Sequence, residues 1–190
     1  MFVHFGTGQD VANEIIGFSS TEIPILADRV IEVFFVALQK CCECRIKGVP
    51  AGLGDPCFEK LSANLGKAIL SIGAVKGFEI GDGFAVAEST GLTNNDAFYY
   101  NNEGMIEKKT NHAGGILGGI SDGSEIIFLV AVKPTPSIFA EQETVNKNGE
   151  NISVNVKGRH DPCVVLRAMP VVEAVTAIAL YDAWLLDCRN

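Results

Sequence analysis

The chain has 190 residues, 47% of them hydrophobic, and a formal net charge of −8. That apolar share supports one domain with a packed core and argues against a disordered chain. The acidic balance argues against a nucleic-acid partner, because phosphate backbones select basic surfaces. Any anionic ligand must therefore be met by a local group of cations, for which Lys76, Lys133, Arg159 and Arg167 are the candidates.

No apolar run reaches the roughly 20 residues of a membrane span, and residues 1–10 lack the basic start and apolar stretch of a signal peptide. The expectation is a cytoplasmic protein without a membrane partner. The cysteines include one cluster, Cys41-Cys42-Glu43-Cys44. No second Cys/His pair stands at ligand spacing, so no metal is expected and the thiols read as small reduced apolar groups.

In chain order, Ile25, Val30, Ile31, Phe34, Phe35 and Leu38 follow helical spacing and predict an amphipathic helix over residues 25–39. Residues 43–49 read as a short strand. Asp55-Pro56 has the form of a helix start, with Phe58, Leu61, Leu65, Ala68 and Ile69 on the apolar side and an end near Ile72. Residues 75–80 read as a strand broken by Gly81-Asp82-Gly83. A long polar connection follows over residues 85–113, with its clearest turn at 101–104.

Residues 126–132 form a near-continuous apolar strand, and 145–156 a hairpin turning at Asn148-Gly149. Pro162 opens a last helical stretch to about Cys188, which Pro170 should kink or divide. Paired antiparallel strands around long helices give an α+β layered fold.

Three segments suit an anion site. Asn111-His112-Ala113-Gly114-Gly115-Ile116-Leu117-Gly118-Gly119-Ile120-Ser121 has a backbone that can approach a ligand closely. Lys133-Pro134-Thr135-Pro136-Ser137 sets a cation beside two hydroxyls on a stiff backbone. Gly158-Arg159-His160-Asp161-Pro162-Cys163 precedes an apolar run, where a helix N-terminus adds partial positive charge. The glycine run fits neither G-x-G-x-x-G nor a P-loop, which disfavours a nucleotide-binding protein of those kinds.

These segments, with Gly52-Leu53-Gly54-Asp55-Pro56-Cys57-Phe58 and the stretch from Ser71 to Phe84, resemble the chorismate synthase family in order and separation. The likeness runs from about Cys44 to Asn190; residues 1–40 match weakly, and residues 1–21 not at all. The resemblance implies a single partial domain, residues 1–190, corresponding to the family's C-terminal half. The Gly-Glu-Ser-His-Gly motif, the substrate-binding arginines and the second catalytic histidine of the N-terminal half have no counterpart in it.

The implied fold has antiparallel sheets sandwiching helices, and the implied assembly is a homotetramer. The implied reaction is anti-1,4-elimination of phosphate from 5-enolpyruvylshikimate 3-phosphate, giving chorismate for aromatic amino acid biosynthesis, with reduced FMN as cofactor and NADPH associated with the flavin chemistry. By position, Asp161 takes the catalytic role of assisting proton removal. Gly73, Ala74, Gly118, Lys133, Pro134, Thr135, Pro136, Ser137 and Arg159 take flavin contacts.

Other readings stay open beside these. Asp161 before Pro162 also suits a helix cap, and Arg159 also suits a surface ion pair. His112 and His160 read as hydrogen-bonding groups that orient the site. The chain reads as inactive alone, as a complementing half-enzyme, or as a flavin-binding or assembly module. A half-domain should also expose an apolar face, with Phe34, Phe35, Ile126, Phe128 and Val130 as expected contributors.

Overall fold

The computed structural model describes residues 15–26 and 29–38 as backbone, and residues 41–158 and 164–188 with their side chains. Strands β1 (Ile15–Leu26) and β2 (Arg29–Leu38) pair antiparallel. They replace the helix expected over residues 25–39. Val30, Ile31, Val33, Phe34, Phe35 and Val36 are β-branched or aromatic, and a run so uniformly apolar suits a strand with neighbours on both sides better than one face of a helix.

β3 (Cys41–Lys47) pairs with β2 from Glu32↔Lys47 to Leu38↔Cys41. Its Cys42, Cys44 and Ile46 point inward, as the period of two requires. The chain then turns at Asp55, whose Oδ1 accepts the N–H of Cys57 at 2.8 Å. This Asx turn uses the carboxylate that the sequence assigned to a helix cap. Phe58, expected on the helix's apolar side, is 92% exposed with a φ of 46°.

Helix α1 (Leu61–Leu70) starts five residues later than its Pro suggested, and buries Leu61, Leu65 and Ile69. β4 (Val75–Ile80) follows as expected. Gly66 lies against the ring of Phe78, where a Cβ would stand 3.2 Å from it, so α1 can lie close on β4.

The long connection is more ordered than its composition suggested. It contains a 3-10 turn (Gly83–Glu88) and the hairpin of β5 (Phe98–Tyr100) with β6 (Ile106–Lys108). That hairpin turns at the expected residues: Asn101 Oδ1 accepts N–H groups of Glu103 and Met105, each at 2.9 Å. The glycine run forms a smaller hairpin, β7 (Ile116–Leu117) with β8 (Ile120–Ser121).

β9 (Ile126–Val132) has the expected bounds and pairs antiparallel with both β3 and β4. The sheet order is β1-β2-β3-β9-β4. β10 (Gln142–Val145) and β11 (Asn151–Val154) form the hairpin expected around Asn148-Gly149. α2 (Val165–Asp187) is continuous through Pro170, so the proline does not divide it.

The architecture is α+β, with α1 and α2 packed on the sheet's buried face. By length and composition α2 is apolar enough to cross a membrane, against the expectation of no such run. Val172 and Leu180 on it are nonetheless fully buried against the sheet. Ile126, Phe128 and Val130 are also fully buried, which corrects their assignment to an exposed face. The helices cover them; the side chains of Phe34 and Phe35 lie outside those described. Large apolar groups are exposed elsewhere, at Phe58, Phe84 and Leu92.

Phe128 packs against Phe78 in a tilted arrangement, with 5.2 Å between ring centroids. Phe128→Ala should therefore cost about 3–5 kcal/mol, measured by urea unfolding. A loss below about 1 kcal/mol, the level of a conservative core swap, would contradict the central place given to this ring.

Candidate functional site

Two regions carry the candidate residues. In the first, the N–H of Lys133 donates to the carbonyl of Ala74 at 2.8 Å, just beyond the Val75↔Val132 pair. Gly73, Ala74 and Lys133 therefore meet at one end of β4 and β9. Ala74 has a φ of 74°, a left-handed conformation that costs a residue with a Cβ about 1–2 kcal/mol.

A Cβ on Gly73 would meet nothing within 4 Å, so its backbone is open to approach. Lys133 is exposed, with Thr135 and Ser137 half-buried beyond it. Pro134 and Pro136 cannot donate to a ladder, so they end β9 here. Gln142 Nε2 ties the segment to β10 by donating to the Pro136 carbonyl at 2.9 Å.

The second region holds Gly118. With Gly119 it makes the two-residue turn between β7 and β8, at φ of 61° and 98°, as a tight hairpin turn demands. The carbonyl of Gly119 accepts the N–H of Leu61 at the start of α1, whereas Gly73 follows the end of that helix. Gly118 and Gly73 thus lie about one helix length apart, roughly 15 Å. The structure does not bring Gly118 together with Lys133.

Most glycines of the run serve chain packing. A Cβ on Gly114 would stand 2.8 Å from the Ile127 carbonyl, on Gly115 2.6 Å from that of Glu125, and on Gly119 2.8 Å from that of Asp55. Only Gly118 in this run is exposed with open space where a side chain would be.

Beneath the hairpin lies an ionic group that sequence reasoning missed. Asp96 is buried; its Oδ1 accepts the Thr110 hydroxyl at 2.7 Å and the His112 N–H at 2.8 Å, and its Oδ2 the Ala113 N–H at 3.0 Å. The buried Lys108 ammonium lies 3.6 Å from Asp96, 2.8 Å from Asp122 and 2.9 Å from Asn111 Oδ1. His112 Nδ1 meets Asp82 Oδ2 at 2.6 Å, a hydrogen bond between two side chains of the connection from β4 to β7. The one sequence signal was the length of the connection, whose buried backbone had to find partners.

Burial works against the Asp96 charge, but hydrogen bonds from Ala113, Thr110 and His112, with Lys108 nearby, outweigh it and hold the carboxyl at about 2. Asp122 is likewise lowered: burial opposes its charge, and Lys108 and Ser124 favour it. Cys44 lies well above the usual thiol range, through burial and then the Glu173 charge. No group of His, Cys, Asp or Glu suited to a metal occurs among the described residues. Arg159, His160 and Asp161 lie outside the described residues, so the structure carries no statement on their placement.

The Asp96 carboxyl titrates at 3.8 when unperturbed and at about 2 here. Its stabilisation is therefore complete above about pH 4 and is lost as pH falls through about 2. Thermal melting between pH 6 and pH 2 should fall along that acid arm, and the arm should be shallower in Asp96→Asn. An unchanged acid arm in the variant would rule out Asp96 as its source.

Residues 39–185 match the family model described as Chorismate synthase. The chorismate synthase of Agathobacter rectalis is 64% identical over 146 residues, 77% of this chain and 40% of that protein. That of Lachnoclostridium phytofermentans is 66% identical over 140 residues, 74% of this chain and 38% of that protein. A solved structure described as "Crystal Structure of Chorismate Synthase" superposes with a TM-score of 0.58 at 28% identity, covering 80% of this chain and 37% of the other. The chain thus spans about 40% of the length of these curated relatives, and with a family match over most of its own length it belongs to the chorismate synthase family.

Proposed function

We propose that this chain supplies the C-terminal part of a chorismate synthase, which eliminates phosphate from 5-enolpyruvylshikimate 3-phosphate with reduced FMN present. The observation that carries the reading is the family match over residues 39–185 at 64–66% identity to named chorismate synthases. The donor set agrees in kind with a flavin phosphate: an exposed ammonium on Lys133, hydroxyls on Thr135 and Ser137, and open backbone at Gly73.

When bound, reduced FMN supplies the electronic assistance that an elimination without net redox change requires. The protein's own groups do the rest. Lys133, Thr135 and Ser137, with Pro134 and Pro136 stiffening the segment, would hold the cofactor's anionic end. Gly73, Ala74 and Gly118 would admit it closely along the backbone, and the Arg159 guanidinium would clamp phosphate in a bidentate manner. The Asp161 carboxylate would assist removal of the substrate proton. The working protein is a cytoplasmic homotetramer in this reading, with NADPH associated with flavin reduction.

A second reading, a non-catalytic flavin-binding or assembly module that no added N-terminal chain makes active, is favoured by the closed core under α1 and α2. Mixing distinguishes the two. The chain alone with reduced FMN and substrate should give no chorismate, and adding a polypeptide with the N-terminal part of the Agathobacter rectalis relative should restore it.

In that mixture Asp161→Asn should slow turnover by about 10²-fold or more, with melting unchanged. A lower melting point with turnover intact would instead make Asp161 a helix cap. Lys133→Ala should weaken FMN binding about tenfold, the scale of one charged hydrogen bond. Chorismate from the chain alone at the rate of an intact enzyme would overturn the partial-site reading.

A further inference from the structure

The hydrogen bonds of Asp96 are unusual in where they go. Its acceptor positions are taken by Thr110, His112 and Ala113 and its charge is faced by Lys108, all within the segment that leads into the glycine run. Among the described residues, these partners lie neither in the sheet core nor on a helix. Lys108 then reaches across to Asp122, and Asn111 Nδ2 donates to the Glu125 carbonyl at 2.7 Å, so the strand-like entry and exit of the β7–β8 hairpin are fastened together. The N–H of Asp122 donates to Gly115, closing the same base.

Above this base the packed glycines leave no freedom, and only Gly118 stands open. We propose that Asp96 is a positioning residue: by holding the backbone of His112 and Ala113 it fixes the base of the β7–β8 hairpin and so sets where Gly118 stands for the flavin. The part that concerns flavin rests on the reading of Gly118 given under the proposed function. The part that concerns position does not.

Asp96→Asn is the direct probe, because an amide presents N–H donors where Ala113 N–H and Lys108 need an acceptor. Thr110→Val is the milder one, since it keeps the charge and removes a single bond. Val130→Ala, in β9, serves as a control that loosens the core without touching the loop.

Hydrogen–deuterium exchange on the full chain should accelerate at least tenfold over residues 108–119 in Asp96→Asn and about threefold in Thr110→Val, with residues 126–132 unchanged. Val130→Ala should show the reverse pattern. If Asp96→Asn does not fold, Thr110→Val decides alone. Acceleration spread equally over loop and strand would make Asp96 a general stability residue and overturn the proposal.

FMN titration separates the two layers. A weakened affinity in Lys133→Ala with none in Asp96→Asn or Thr110→Val overturns the positioning of a flavin contact. An affinity unchanged in Lys133→Ala overturns the flavin reading itself, and the exchange pattern still judges whether Asp96 positions the hairpin.

Discussion

β9 is the constraint on which the rest of the structure depends. It pairs on both sides, with β3 and β4, and buries Ile126, Phe128, Val130 and Val132 on one face. Its two ends also fix the two candidate regions. At one end the Ile127 N–H donates to Gly114 while the Ile127 carbonyl accepts from Gly81, which seats the glycine run; at the other, Val132 delivers Lys133 beside Ala74. A strand of seven residues spans about 20 Å, so the regions are held apart by the element that carries them. A ligand touching both would have to be long, or be met by groups from outside this chain.

The buried charges near the glycine run follow a different logic. Two carboxylates and one ammonium leave a net negative charge, and burying it costs several kcal/mol unless every lone pair is used. The extra negative charge is answered by backbone N–H groups of the run itself. Packing in the core is non-directional, whereas these bonds are directional and fix orientation. The molecule thus uses apolar area to hold its sheet and oriented dipoles to hold its loop.

Much of the fold was legible where one cue dominated. β4, β9 and the β10–β11 hairpin were read correctly because apolar or alternating runs were bounded by Gly or Asn turn signals, whereas for β5 and β6 only the turn between them was placed. β2 was misread because Ile31, Phe34, Phe35 and Leu38 satisfy helical spacing by chance in a run with hardly a polar residue. Asp55-Pro56 was misread because one dipeptide serves two kinds of turn, and local sequence does not choose between them. Family and segment order were legible from the motifs. The Asp96–Lys108–Asp122 group was not, since residues 12 and 14 apart along an irregular chain share no period. Nor could sequence tell that three of the run's glycines answer to neighbouring backbone.

The prolines that end β9 have a mechanical consequence. Pro134 and Pro136 interrupt the ladder, and β10 and β11 form a two-stranded ladder apart from the main sheet, with every residue of β11 exposed. The hairpin is therefore a separate cooperative unit: it can melt and re-form without drawing any strand of the main sheet with it. Opening it disturbs little buried surface, so a protease reaches Asn148-Gly149 long before it reaches the sheet, and the stretch from Lys133 to Val154 behaves as an arm hung from the packed sheet and helices.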